Sequence, residues 1–244
     1  MTQGVAADWL QEVGRAALDL VVPQQCAGCG RPGRAWCPAC AAEVGGRCVA
    51  VPGDLLCRAA TEYEGPAGRA VRSFKDSGAR GLAGPLSGLL AAAVLDVLVE
   101  ARCAGLPGAA PGAAPVWLVP VPARREARRR RAADHMQVLA GRAASLLRAR
   151  GVPAHRCAAL RHVRASHDQV GLTRRQRRAN VAGTLAAGPV PAGLLVLVDD
   201  VTTTGATLAE ASRALQAATG RTPIAAAVAW AAPTPHLAWV RSRD

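Results

Sequence analysis

The chain has 244 residues, half of them hydrophobic and 19% charged, which suits one or two packed domains and excludes a disordered or collagen-like polymer. Only seven residues are aromatic, too few for a base-stacking nucleic-acid platform. The formal net charge of +13 favours anionic partners, but 29 of the 30 basic residues are Arg and only Lys75 is Lys, so the placement of charge says more than its total.

Residues 5–22 space Val5, Trp9, Val13, Ala17 and Leu20 along one face, which predicts a short amphipathic helix. Asp8, Glu12 and Asp19 interrupt any signal-peptide core there. Residues 23–60 carry six of the eight cysteines and little periodicity, as expected of a loop module pinned by metal. Cys26-Ala-Gly-Cys29 and Cys37-Pro-Ala-Cys40 supply four thiolates, enough for a closed tetrahedral structural zinc site, with Gly30 allowing a tight turn after the second one. Redox chemistry is the rival reading, but it uses one CxxC at a helix start and here there are two. Cys48 and Cys57 read as remnants of a second knuckle or as buried thiols, and Cys103 and Cys157 as core residues. Cysteines arranged for metal rather than for a secreted disulfide framework make the cytoplasm the expected compartment.

Two helices are predicted over 66–104, the second (86–102) nearly all apolar and therefore buried. Its apolar run 89–99 is broken by Asp96 and too short to span a bilayer, so no membrane insertion is expected. Gly, Pro and Ala over 105–115 read as a surface loop or linker. A β-type run follows at 116–121, ended by Pro122. Residues 133–150 are helical in pattern, with Met136, Leu139, Ala143 and Leu147 on one face and Gly151 as the stop. The Arg-rich stretch 161–180 shows no strand or core signature. A strand buried on both faces (194–198), a helix (207–219) and a last strand (224–230) complete the chain. The alternation predicts an α/β fold, a parallel sheet flanked by helices. The expected organisation is an N-terminal helix and zinc module at 1–60, a helical connecting segment at 61–104 and an α/β domain at 116–244.

The most informative segment is LLVLVDDVTTTGATL, residues 194–208. Ligands of open α/β sheets bind at the carboxyl ends of strands, and here a buried strand ends in Asp199 and Asp200. The next helix start offers free backbone N–H groups and a positive dipole end, an anion site. Thr202, Thr203, Thr204 and Thr207 add hydroxyl donors, and Gly205, followed by Ala206, lets the backbone close around an anion without a Cβ in the way. Two carboxylates beside such a site suit vicinal sugar hydroxyls or a magnesium ion. A ribose 5-phosphate carries both features at the right separation. The plain alternative is a surface corner whose threonines form an ordinary turn and cap.

Six Arg fall among residues 124–131, straight after the 116–121 strand, where a pyrophosphate would need cationic partners such as Arg128 and Arg129. A solvated helix face or an electrostatic footprint for nucleic acid would use the same run. In the 161–185 stretch, Gln169, Arg178 and Asn180 suit a mobile lid over an active site, with a simple Arg-rich connection as the alternative, and His162 and His167 read as surface histidines.

The 194–208 segment resembles the signature of type I phosphoribosyltransferases. The order of CAGC, WCPAC, Tyr63-Glu64-Gly65-Pro66, Phe74-Lys75, VPVP, RHVRASHDQVGL, RRQRRANVAG and VDDVTTTGATL resembles the competence protein F (ComF/GntX-like) family over most of the chain. It departs where the family has Gly-Phe-Asn-Gln and this chain has Ala132-Ala133-Asp134-His135, and where Ser166 stands near a family threonine. The resemblance implies a phosphoribosyltransferase-like fold that binds phosphoribosyl pyrophosphate (PRPP) with magnesium. Asp199 and Asp200 would be the catalytic pair on the ribose hydroxyls, with the loop 202–207 on the 5-phosphate. It also implies a part in natural competence, with single-stranded DNA and competence proteins as partners. Three roles stay open: a transferase, a non-catalytic DNA-uptake adaptor, and a PRPP sensor coupled to a zinc module.

Overall fold

The structure is a computed structural model that describes residues 24–77, 79–109, 112, 114–123, 134–164 and 180–232. The expected 5–22 helix, the Arg run at 124–131 with Arg128 and Arg129, and Ser166, His167, Gln169 and Arg178 lie outside these residues. In chain order the elements are α1 (Pro38–Val44), β1 (Val49–Ala50), β2 (Cys57–Glu62), α2 (Gly65–Ser77), a 3-10 turn (Arg80–Leu82) and α3 (Ala83–Cys103). There follow β3 (Val116–Pro120), α4 (His135–Arg148), β4 (Ala154–Arg156), β5 (Leu160–His162), β6 (Leu185–Ala187), β7 (Leu194–Thr202), α5 (Ala206–Thr219) and β8 (Ile224–Trp230).

Six strands form one sheet in the order β1-β2-β8-β7-β3-β4, parallel throughout except for β1, which pairs antiparallel with β2. Period-two alternation divides it between two cores. Leu194, Val196 and Val198 of β7, Ile224, Ala226 and Val228 of β8 and Leu118 of β3 face α2, α3 and α4. Leu195 and Leu197 of β7 and Ala225 and Ala227 of β8 face α5 and the β5–β6 pair. The fold is thus mixed α/β, a mostly parallel sheet with helices on both sides. Buried Glu210 of α5 accepts the Leu185 N–H at 3.0 Å and so ties β6 to that helix.

Several elements differ from the sequence reading for identifiable reasons. The expected boundary at residue 60 falls inside β2, which pairs with the parallel strand β8 from Cys57 to Glu62. Residues 61–104 therefore do more than connect, since α2 and α3 cover one face of the sheet. Helix α3 starts at Ala83 and runs 21 residues, well beyond the 89–99 apolar run. Asp96, which breaks that run, lies with Glu100 against Arg58 of β2, at 3.2 and 2.6 Å. By length and composition α3 is the one helix among the described residues that could cross a bilayer, and its Leu86, Leu90, Val94 and Val97 are packed in the core. A short strand, β5, occupies 160–162, where no strand was expected, because it pairs antiparallel with β6. Cys103 is exposed at the end of α3 and is not a core residue, whereas Cys57 is buried.

Candidate functional site

The chain crosses from one side of the sheet to the other between β3 and β7. After β3 it enters α4, on one face; after β7 it enters α5, on the opposite face. Neighbouring parallel strands whose following helices diverge in this way leave a crevice at their carboxyl ends, the usual ligand position of open α/β sheets. Asp199 and Asp200 sit at that crevice, near the end of β7.

The two carboxylates have unlike surroundings. Asp200 is 5% exposed and continues the row of Val196 and Val198 towards α2 and α4. Its Oδ1 takes Lys75 Nζ at 2.8 Å and the Val201 N–H at 2.6 Å, and its Oδ2 lies 2.5 Å from His135 Nε2. Lys75 comes from the last turn of α2; His135 opens α4 behind its cap Asp134, which accepts the Met136 N–H at 3.1 Å. The Phe74 ring meets the His135 ring edge-on, with centroids 6.1 Å apart. Burial alone would raise the Asp200 carboxyl, but the His135 hydrogen bond and the Lys75 charge outweigh it and hold it below the usual carboxylate range. For Lys75, burial pulls the other way and the Asp200 charge prevails, so its ammonium is held above the ordinary lysine range.

Asp199 continues the row of Leu195 and Leu197, on the α5 side, and is partly exposed. Its Oδ1 accepts the Asp200 N–H at 2.9 Å. Burial and the neighbouring Asp200 charge raise its carboxyl well above the usual range. Beyond it, Thr202 and Thr204 are buried, and the Thr203 carbonyl accepts the Trp230 indole N–H at 3.2 Å. Gly205 caps α5 in a left-handed conformation, φ 71°, with no side-chain hydrogen bond to the helix. Only glycine adopts that backbone readily, and it leaves the first-turn N–H groups of α5 without a side-chain partner. Ala206 and Thr207 complete this loop as the first residues of α5.

Each Asp200 oxygen already holds a donor, so the pair as arranged is not a ready site for a bare divalent cation. Sequence reasoning noted Lys75 and His135 only as motif neighbours. The signal for Lys75 was compositional: the sole lysine in an arginine-rich chain stands at the acid pair.

The second site is the cysteine cluster. Cys26, Cys29, Cys37 and Cys40 bring their sulfurs within 4.8 Å of one another, and Cys26–Cys40 and Cys29–Cys37 are each 3.7 Å apart. Four sulfurs at the corners of a zinc tetrahedron would lie ~3.8 Å apart, given bonds of about 2.3 Å. The four cysteines could therefore hold a metal such as zinc. Cys26 lies in a turn closed by its own carbonyl accepting Gly30 N–H at 2.7 Å, and Cys37 caps α1 while accepting Cys40 N–H at 3.4 Å. Burial raises both buried thiols: at Cys26 the N–H donors from Cys37, Cys29 and Gly28 outweigh it and bring the value down to about 6, while at Cys40 burial and the neighbouring sulfurs keep the thiol raised, so Cys26 is the thiolate favoured first. A Cβ on Gly28 would meet the Cys40 sulfur at 2.6 Å and Pro66 of α2 at 2.9 Å, so the knuckle closes only around glycine. Cys48 is partly buried and stands outside this cluster, as do Cys57 and Cys157.

No family model matches the chain, and no curated protein matches it.

Proposed function

We propose that this chain is a phosphoribosyltransferase-like protein of the competence protein F kind, binding PRPP or another ribose 5-phosphate ligand at the crevice between β3 and β7. The observation that carries the reading is an acid pair at the crossover point of a parallel sheet, followed directly by the uncapped, glycine-opened start of α5. In this reading the N–H groups and hydroxyls of Thr202, Thr203, Thr204, Gly205, Ala206 and Thr207 receive the 5-phosphate. The Asp199–Asp200 pair orients the ribose hydroxyls as pyrophosphate leaves. Arg128 and Arg129 would receive the pyrophosphate oxygens. Magnesium belongs to the reading as a companion of the pyrophosphate, whose charge it would neutralise. Zinc on Cys26, Cys29, Cys37 and Cys40 would be a structural pin with no open position for substrate.

The family resemblance and the Arg run at 124–131 support a cytoplasmic part in natural competence, with single-stranded DNA and competence proteins as partners. Calorimetric titration with PRPP, with and without magnesium, followed by a pyrophosphate-release screen over nucleobases and ammonia, tests the proposal. Binding with release supports a transferase, and binding without release a PRPP sensor. Absence of PRPP binding overturns the proposal. In that event, salt-sensitive single-stranded DNA binding lost on neutralising Arg128 to Arg131 would favour the adaptor.

A further inference from the structure

We propose that Lys75 and His135 are positioning residues that hold Asp200 in place, leaving Asp199 as the carboxylate that receives the ligand's vicinal hydroxyls. The assignment rests on the phosphoribosyl reading and divides its acid pair into two roles. Adjacent residues of a strand point to opposite faces, so the two side chains leave β7 on opposite sides, although their carboxyls still meet through a side-chain hydrogen bond. Asp200 faces α2 and α4 and is buried, with Lys75 and Val201 N–H on one oxygen and His135 on the other. Asp199 faces the side covered by α5, the helix whose open start is the candidate phosphate cup. Among the described residues, the hydrogen bonds to Asp199 come from Asp200 alone. One carboxylate is thus taken up by the protein, and the other lies on the phosphate side with capacity to spare.

The donors on Asp200 come from separate elements, α2 and α4, brought together only by the fold. His135 is packed against Phe74, so its ring cannot swing away without disturbing α2. The Asp200 N–H, placed by β7, holds Asp199 Oδ1 at 2.9 Å, and the two carboxyls meet directly, so a displaced Asp200 side chain is felt at Asp199. The order of action runs from Lys75 and His135 through Asp200 to the geometry of Asp199.

Calorimetric titration with two probes, ribose 5-phosphate and inorganic phosphate, separates the roles. Inorganic phosphate uses only the cup. At a pH above about 8, where Asp199 is ionised, Asp199→Asn should weaken ribose 5-phosphate binding by about tenfold or more, the scale of a lost charged hydrogen bond, and leave inorganic phosphate within about twofold. His135→Gln keeps an N–H donor near Asp200 and should bind ribose 5-phosphate within about threefold of the parent, whereas His135→Leu should lose about tenfold. Lys75→Arg should likewise retain more affinity than Lys75→Met. Circular dichroism confirms which variants are folded, and the Asp199→Asn, His135→Gln and Lys75→Arg results stand even if the apolar variants do not fold. If the parent binds ribose 5-phosphate and Asp199→Asn binds it equally well, the division of roles is overturned while the phosphoribosyl reading survives. A parent that binds neither probe overturns both.

Discussion

The cysteine cluster and the acid pair are built in opposite ways. Four ligands within fifteen residues, a glycine turn and one short helix make the first. The second draws Lys75, His135 and Asp200 from positions up to 125 residues apart, and nothing but the sheet and its covering helices brings them together. Local order of the first kind would rest on a metal cross-link, which a small module cannot replace by burial. Order of the second kind depends on the two hydrophobic cores. The regions meet in α2: its Arg69 donates to the Gly28 carbonyl beside the cysteines, and its Lys75 reaches Asp200.

That contrast can be broken most strongly at the cysteines. Cys40→Ser should reduce bound zinc, measured by elemental analysis of the purified chain, from about one ion to near none, because structural zinc contributes on the order of 10 kcal/mol to a site of this type. Full zinc retention would contradict a four-thiolate site. In the sheet, Leu118→Ala should lower unfolding free energy by about 2–5 kcal/mol in denaturant titration and leave zinc content unchanged. Leu118 is completely buried in β3, so a smaller loss would mean that the core there closes up around the gap.

How far each region was legible in the sequence follows from the same contrast. The cysteine cluster was legible because two CxxC pairs so close in sequence can hardly fail to bring their four sulfurs together. The strand carrying Asp199 and Asp200 was legible because an unbroken apolar run ending in two acids has few other uses. Lys75 and His135 could not be placed on Asp200 from pattern, because no local periodicity records which helix end will face which strand. Residue 60 looked like the end of a module for a similar reason: β2 is short, one third alanine, and becomes a strand only through β8. Asp96 looked like an interruption until its partner Arg58, from β2, was in view.

A milder perturbation tests the junction itself. Arg69→Met removes the donor to the Gly28 carbonyl and should lower stability by about 1–3 kcal/mol, with faster loss of zinc to a chelator and zinc content still near one ion before chelation. Unchanged chelation kinetics would mean that α2 does not support the knuckle.

The smallest expected effect concerns proton uptake at Asp199. Because its carboxyl is raised in the folded chain, the folded state keeps a proton that the unfolded state has already released. Below pH about 4 both states are protonated and nothing is lost; above it, this contribution declines with rising pH until Asp199 itself ionises. Asp199→Asn has no proton to lose there. Its Tm should match the parent's near pH about 4 and exceed it by a few degrees near pH about 8, at the expense of ligand binding. A variant whose Tm tracks the parent at both pH values would show that Asp199 is not raised.

The most direct measurement is a crystal structure of the zinc-loaded chain with ribose 5-phosphate. The phosphate is expected on the N–H groups of 202–207, with the 2- and 3-hydroxyls within hydrogen-bond distance of Asp199 and with Lys75 and His135 still on Asp200. A sugar phosphate bound away from the end of β7, with the start of α5 left to solvent, would contradict the account.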